Sequence, residues 1–266
     1  MNFYTFAPIA TVLDAAYSLV AGLATVLAPL AGPASAALAI VAITLLVRTA
    51  LIPVGASQVR AEFARRRMAP LLREVQRKYK KDAQLLQRKT MELYASEKVS
   101  PFAGILPTLL QAPVLSVVYG LFVLANVNGH VNSLLSAHLF GAPLGTSLVA
   151  ALSSGIDLPS AAVFLVLLAA IATVAWISRR IALRMAADDA PPKSSAITTP
   201  AVPGMQQLTS VLSWLPFLTV VFAAFVPLAA TLYLAVTTTW TLVERILLRR
   251  RFTRSLARSV APVAAI

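Results

Sequence analysis

No cysteine occurs in the 266 residues. That excludes disulfides, thiolate metal sites, a cysteine nucleophile and a lipoprotein-type cysteine anchor. Charge is scarce too: 12% of residues are charged, against about 25% in soluble domains. Acidic residues are rarest, 10 against 23 basic ones, for a net charge of +13. Apolar residues make up 58%, and the mean hydropathy is +0.78. So little charge on so much apolar surface excludes an ordinary soluble globule and points to the bilayer. Familiar chemistries are also missing. There is no G-x-x-x-x-G-K-[ST] loop for nucleotide phosphates, no H-E-x-x-H pair and no G-x-S-x-G elbow. The two histidines, His130 and His138, are eight residues apart, a spacing of two helical turns. Without a carboxylate beside them they read as interfacial histidines rather than ligands. No enzyme, metal or cofactor is expected. Met1-Asn2-Phe3-Tyr4 carries no basic residue ahead of the apolar run, so no cleaved secretory signal is expected.

What charge there is has been sorted along the chain. Twelve basic residues fall within 60–98: Arg60, Arg65, Arg66, Arg67, Arg73, Arg77, Lys78, Lys80, Lys81, Arg88, Lys89 and Lys98. Arg179, Arg180, Arg184 and Lys193 form a second cluster. Arg245, Arg249, Arg250, Arg251, Arg254 and Arg258 form a third. The one basic residue left over is Arg48. Between the clusters lie apolar runs long enough to cross the hydrocarbon as helices, about 20 residues each. The expected spans are 34–57, 102–125, 160–178, 207–224 and 226–244, the last two turning near Phe225-Val226-Pro227. Segments 1–47 and 126–159 contain no Lys or Arg. The positive-inside rule then places all three clusters in the cytoplasm and the N-terminal segment and the loop 126–159 outside, with the N-terminus out and the C-terminus in. The expected class is an all-α polytopic protein of the plasma membrane.

The expected organisation has three parts: an outward segment 1–33, a five-span core 34–250 and a basic cytoplasmic tail 251–266. Residues 8–31 are apolar but interrupted by Asp14, Gly22, Pro29 and Gly32-Pro33. They read either as a sixth span or, preferably, as a helix lying in the outer interface. Residues 179–206 read as a cytoplasmic linker, rich in Pro, Ala, Ser and Thr from 186 to 204. In 59–98, Met68, Leu71, Leu72, Val75 and Tyr79 keep a helical stripe, followed by a weaker one at Leu86, Thr90, Leu93 and Tyr94. Asp82 is placed to cap the second helix. A two-helix cytoplasmic hairpin with Lys80-Lys81-Asp82 near its tip follows. It carries a net charge of +7, twelve basic against five acidic residues.

Arg48 lies inside an apolar run, in the inner half of its span. An arginine at the bilayer centre costs about 2.5–3.5 kcal/mol on insertion scales. Two readings stand. The side chain snorkels to the inner headgroups, or it faces a water-containing cavity open to the cytoplasm. No carboxylate is available at that depth. The candidates of similar depth are neutral: Thr108, Gln111, Ser116 and Tyr119, and Tyr233, Thr237, Thr238 and Thr239. A cavity with an unpaired cation suits a channel, a small-solute exporter or a protein insertase; a snorkelling Arg48 suits a structural partner of another translocase.

The run Leu45-Leu46-Val47-Arg48-Thr49-Ala50-Leu51-Ile52-Pro53 resembles the arginine-bearing first core span of the YidC-type membrane-protein insertases, a family with mitochondrial and chloroplast relatives. The likeness continues through Met68 to Tyr79, Met91-Glu92-Leu93-Tyr94, and Pro101 to Pro113, with its Leu106-Pro107-Thr108-Leu109-Leu110-Gln111-Ala112-Pro113. It ends on Phe225-Val226-Pro227 to Leu232-Tyr233, so that it covers about residues 34–250. Ile105 stands where the family usually has Cys, Ser100 where it has Asn, and Leu234 where an aromatic is common. The pattern resembles a divergent member of the Gram-positive type.

The resemblance implies five core helices around a hydrophilic groove, closed outside and open to cytoplasm and lipid. The groove would receive hydrophilic segments of nascent membrane proteins. Arg48 takes the family's groove arginine, with Gln111 and Tyr233 beside it; Thr108, Thr237 and Thr238 are further candidates. It needs no cofactor. Arg65, Arg66, Arg67, Arg73, Arg77, Lys78, Lys80 and Lys81 are the candidate contacts for a ribosome, the signal recognition particle receptor or the Sec translocase. Arg249, Arg250, Arg251, Arg254 and Arg258 would meet anionic lipid or ribosomal RNA phosphates. No DNA partner is expected.

Overall fold

The computed structural model describes residues 7–97, 100, 116–117, 119–127, 129–155, 157–188 and 213–260. The described chain is mostly helical. The helices are α1 (Ala7–Ala31), α2 (Ser35–Ala50), α3 (Ile52–Tyr79), α4 (Ala83–Ser96), α5 (Leu148–Ser154), α6 (Leu158–Asp188), α7 (Leu215–Phe225) and α8 (Leu228–Val260). Four two-residue strands, β1 (Asn126–Val127), β2 (His130–Val131), β3 (His138–Leu139) and β4 (Ala142–Pro143), form two antiparallel pairs. By length and composition, Ile9–Ala50 and Leu158–Met185 could cross a membrane; Leu215–Phe225 is a shorter apolar helix. Most of the expected span 102–125 and the start of 207–224 lie outside the described residues.

The chain divides into two compact units. One comprises Met1–Arg48 and Leu115–Leu242, the other Thr49–Val114 and Val243–Ile266.

The first unit is built around one apolar cluster. Leu13 and Val20 of α1, Ile40 of α2, Phe122, Val127, Leu134, Leu144, Phe164 of α6 and Leu228 to Ala230 of α8 are all buried in it. The outward loop expected at 126–159 is not plain loop: over 126–146 it is a folded cover, and α5 follows. Asn132, 2% exposed, donates from Nδ2 to the carbonyls of Leu121 (2.7 Å) and Leu124 (3.0 Å). Its Oδ1 accepts from the Leu134 N–H at 3.2 Å. These bonds satisfy carbonyls that a helix end leaves without partners. The cover also caps α8. The N–H groups of Leu228 and Ala229 donate to the carbonyls of Thr146 (3.0 Å) and Leu144 (2.9 Å). Gly145 is needed there, because a Cβ would lie 2.8 Å from the Leu135 carbonyl oxygen.

Helix α1 meets this cover near its start and just past its end. Near its start the Asp14 Oδ1 meets His130 Nε2 at 2.7 Å, and the Tyr17 and Ser133 hydroxyls lie 2.8 Å apart. Just past its end, the Gly32–Ala34 turn packs on β3. The α7–α8 turn falls where Phe225-Val226-Pro227 predicted it. It is pinned by the buried Thr231 hydroxyl, which donates to the Ala223 carbonyl at 2.8 Å.

The second unit contains the expected hairpin. α3 packs on α4, with Met68 buried, and Asp82 Oδ1 accepts from the Leu85 N–H at 2.9 Å as the predicted N-cap. Arg67 and Glu97 close the open end at 3.1 Å. One boundary differs from expectation. The run 34–57 is not one helix: α2 stops at Ala50 and α3 begins at Ile52 with Pro53 in its first turn. Proline has no N–H to give a preceding turn and restricts the residue before it, so the helix restarts there. The α8 end that belongs to this unit lies against α3. Glu244 occupies the space left by the missing side chain of Gly55, where a Cβ would run into its carboxylate.

Candidate functional site

In α2, 3.6 residues per turn sort the side chains into two faces. Ala36, Ala37, Ala39, Ile40 and Thr44 are buried, whereas Leu38, Leu45 and Leu46 are exposed. Arg48 is partly buried and stands one turn past Thr44 and three turns past Ala37. It therefore sits at the edge of the packed face, about 20° round the helix from Ala37, and not on the exposed leucine face. The Thr44 hydroxyl on the packed face donates back to the Ile40 carbonyl at 2.6 Å. Among the described residues no carboxylate forms an ion pair with Arg48.

The other expected groove residues fall out differently. Tyr233 of α8 is 5% exposed and its ring meets Phe122 at 5.9 Å. Thr238 is only part-buried and its hydroxyl donates to the Leu234 carbonyl at 2.7 Å. Thr237 is buried, and its hydroxyl has no hydrogen-bond partner among the described residues. Thr108 and Gln111 lie outside the described residues.

Of the cytoplasmic candidates, Arg65, Arg67, Arg73, Arg77, Lys78, Lys80 and Lys81 are exposed. Of these, Lys78 alone lines the cleft of about 360 Å³ between α3 and α4, which is also lined by Leu71, Val75, Tyr79 and Leu93 with Lys89, Glu74 and Glu92. Arg66 is instead turned inward to Glu62, at 3.3 Å. Glu62 gathers Arg249 and Arg245 as well, the latter at 3.4 Å. Burial pushes the Glu62 carboxyl up, but the Arg249 hydrogen bond and the charges of Arg249, Arg245 and Arg66 outweigh it and hold it below its usual range. Phe63 and Phe252 pack beside this cluster with ring centres 6.3 Å apart. So Arg249 serves the α8–α3 contact, while Arg250 and Arg251 remain exposed. Arg254 and Arg258 lie in the last turns of α8, which takes in the first ten residues of the expected tail.

His130 and His138 do not share a helix. They fall in β2 and β3, so their spacing of eight has no helical meaning. His130 has a carboxylate after all, Asp14, 116 positions away in sequence. No local signal could have paired them. Among the described residues no group of three His, Asp or Glu could hold a metal.

A family model described as 60Kd inner membrane protein matches residues 26–255. Similar curated proteins carry the name membrane protein insertase YidC. That of Oceanobacillus iheyensis is 43% identical over 86 residues, 31% of this chain and 34% of that protein. That of Fusobacterium nucleatum is 36% identical over 83 residues, 31% of this chain and 40% of the relative. That of Clostridium tetani is 35% identical over 91 residues, 34% and 40% of the two chains. The alignments thus cover well under half of each relative. The family model, in contrast, takes in most of this sequence, and the chain belongs to the 60Kd inner membrane protein family, that of the YidC-type insertases.

Proposed function

We propose that this protein is a membrane-protein insertase of the plasma membrane, working through a groove with Arg48 on its wall. The observation that carries the reading is the position of Arg48 at the edge of the packed face of α2. A snorkelling arginine would stand among the exposed leucines. An arginine on the packed side needs water or a polar guest. Thr237, buried with a hydroxyl that has no partner among the described residues, supports the same reading, since an unsatisfied buried group costs stability unless something visits it. Gln111, Thr108, Tyr233 and Thr238 complete the groove in this proposal.

The outer side is closed by the folded cover at 126–146, whose buried residues belong to the core of the first unit. The contacts of α1 with the cover near its start and just past its end support an interfacial helix. Five spans then run with the N-terminus out and the C-terminus in. A nascent chain's hydrophilic segment enters from the cytoplasm and is drawn by Arg48, acidic segments most strongly. The apolar barrier it must cross is shortened. Burial of the substrate's own helix in lipid supplies the free energy, about 25 cal/mol per Å² of apolar surface, so no nucleotide is required. The exposed cations of the α3–α4 hairpin serve a ribosome, a targeting receptor or the Sec translocase, and Arg250 and Arg251 serve anionic lipid.

The test is complementation in a host depleted of its own insertase. Arg48→Lys should retain insertion, Arg48→Ala should reduce it, and Arg48→Glu should abolish it first for substrates with acidic outward segments. Normal insertion by all three variants would overturn the groove mechanism. Photocrosslinkers at positions 48, 111 and 233 should capture a stalled nascent chain; capture of lipid alone would favour snorkelling.

A further inference from the structure

The end of α6 and the start of α7 carry a cluster of two arginines and two tryptophans that the groove does not use. Arg180 stacks on Trp176, one turn earlier, with the guanidinium carbon 3.8 Å from the ring centre. Arg179 stacks on Trp214 at 4.4 Å, and its Nε donates to the Ser213 hydroxyl at 3.3 Å. Trp214 in turn packs on Phe217, with ring centres 5.1 Å apart. Among the described residues no carboxylate forms an ion pair with either arginine. Two adjacent cations thus share a patch with no counter-charge among the described residues. Both indoles are about half exposed, Trp176 at 47% and Trp214 at 54%. Leu215 and Leu218 of α7 and Leu183 of α6 are exposed around them.

Depth says what the patch meets. Arg179 stands 21 residues after Leu158, the first residue of α6. At 1.5 Å per residue that is about 32 Å, the thickness of the hydrocarbon core. The guanidinium groups therefore lie at headgroup level, with the indoles at the boundary that Trp prefers. Stacking holds each guanidinium by its face; the Arg179 Nε–H is given to Ser213, and the Nη–H groups of the two arginines supply the paired bonds that grip a phosphate. The exposed leucines offer the acyl chains an apolar wall. A free phosphate ion would use the guanidinium groups but neither the leucines nor the outer faces of the indoles.

We infer that Arg179 and Arg180, stacked on Trp214 and Trp176, form a binding site for an anionic phospholipid of the cytoplasmic leaflet. The site rests on α6 crossing the bilayer and on nothing in the insertion mechanism. It would hold the α6–α7 end at a fixed depth.

The chain has three tryptophans, so Trp240→Phe leaves only the two indoles of the site. That full-length protein, reconstituted in phosphatidylcholine vesicles, is titrated with brominated phosphatidylglycerol or brominated phosphatidylcholine while indole fluorescence is read. Phosphatidylglycerol should quench at a lower mole fraction, by about fivefold for each engaged arginine. Arg179→Gln with Arg180→Gln should erase that preference. Arg180→Gln alone, which touches only an exposed side chain, should halve it on a logarithmic scale. Equal quenching by the two lipids in the parent, or a preference that survives both substitutions, overturns the site. Loss of the preference in tens of millimolar inorganic phosphate overturns the lipid assignment in favour of a free ion. Neither result would touch the Arg48 complementation, which reads insertion.

Discussion

Replacing Asn132 should loosen the cover at 126–146 by an amount that the structure allows to be worked out. The side chain is buried and makes three hydrogen bonds, two of them to the carbonyls of Leu121 and Leu124. Asn132→Ala leaves those two acceptors and the Leu134 N–H without partners in a buried place. An abandoned buried group costs about 1–3 kcal/mol, and partial rehydration in the space left behind lowers the sum, so a loss of about 2–4 kcal/mol is expected. For a chain of this size that is a fall of roughly 5–15 °C in melting temperature. Asn132→Asp should be worse. It removes both donors and sets a carboxylate against two carbonyl oxygens, and acidification towards pH 4 should recover part of the loss by returning one O–H donor. Ser136→Ala is the control, since its hydroxyl makes one exposed bond to the Ser133 carbonyl; it should stay within about 0.5 kcal/mol. Thermal unfolding in detergent, followed by tryptophan fluorescence, measures all three. If Asn132→Ala melts with the parent, or Asn132→Asp melts no lower than Asn132→Ala, the cover is not held by this side chain and the reasoning fails.

Other perturbations have definite signs. The Asp14 hydrogen bond raises His130 above its ordinary 6.5, with desolvation working against it. The Asp14–His130 contribution to stability is therefore fully present below about pH 6.5 and fades as the pH rises through the raised value. A double-mutant cycle with Asp14→Asn and His130→Gln should show coupling at pH 6 that has gone by pH 9; coupling unchanged across that range would contradict the pairing. Glu62 is held below its ordinary 4.5, so its contribution is present above that value and is lost as the pH falls through the lowered one. Glu62→Lys puts a fourth cation beside Arg66, Arg245 and Arg249, and trypsin should then cut at 249–251 several-fold faster, with Glu62→Gln intermediate. Thr237→Val removes a buried hydroxyl with no partner among the described residues and should hold or raise the melting temperature, by up to about 1 kcal/mol, while lowering insertion. Unchanged insertion would remove Thr237 from the groove. Gly145→Ala places a methyl against the Leu135 carbonyl and should cost about 1–3 kcal/mol in the same melting assay.

Much of the fold was legible in the residues. A turn at Phe225-Val226-Pro227, a capping Asp82 and a helix over the stripe from Met68 to Tyr79 are local signals, and each appears where it was expected; of the apolar runs, 160–178 falls within α6. Pro53 was a legible signal too, and it divides the run that was read as one span. The contacts that close the cover were not legible. Asp14 with His130 and Tyr17 with Ser133 join residues 116 positions apart, and Glu62 with Arg249 residues 187 apart. No periodicity encodes such pairs, because they are set by how whole helices meet.

Arg48 separates the two kinds of knowledge most clearly. The sequence by itself determined that one cation lies within an apolar helix, at a depth counted from the residues on either side. It could not determine which way that cation faces. Helical periodicity reports direction only when polar and apolar residues alternate around the axis, and the run from Ala36 to Val47 is apolar on nearly every side. Tertiary packing decided it, by burying Ala37, Ile40 and Thr44 and leaving Leu38, Leu45 and Leu46 exposed. The orientation of an all-apolar helix is a property of its neighbours, and those neighbours come from distant parts of the chain.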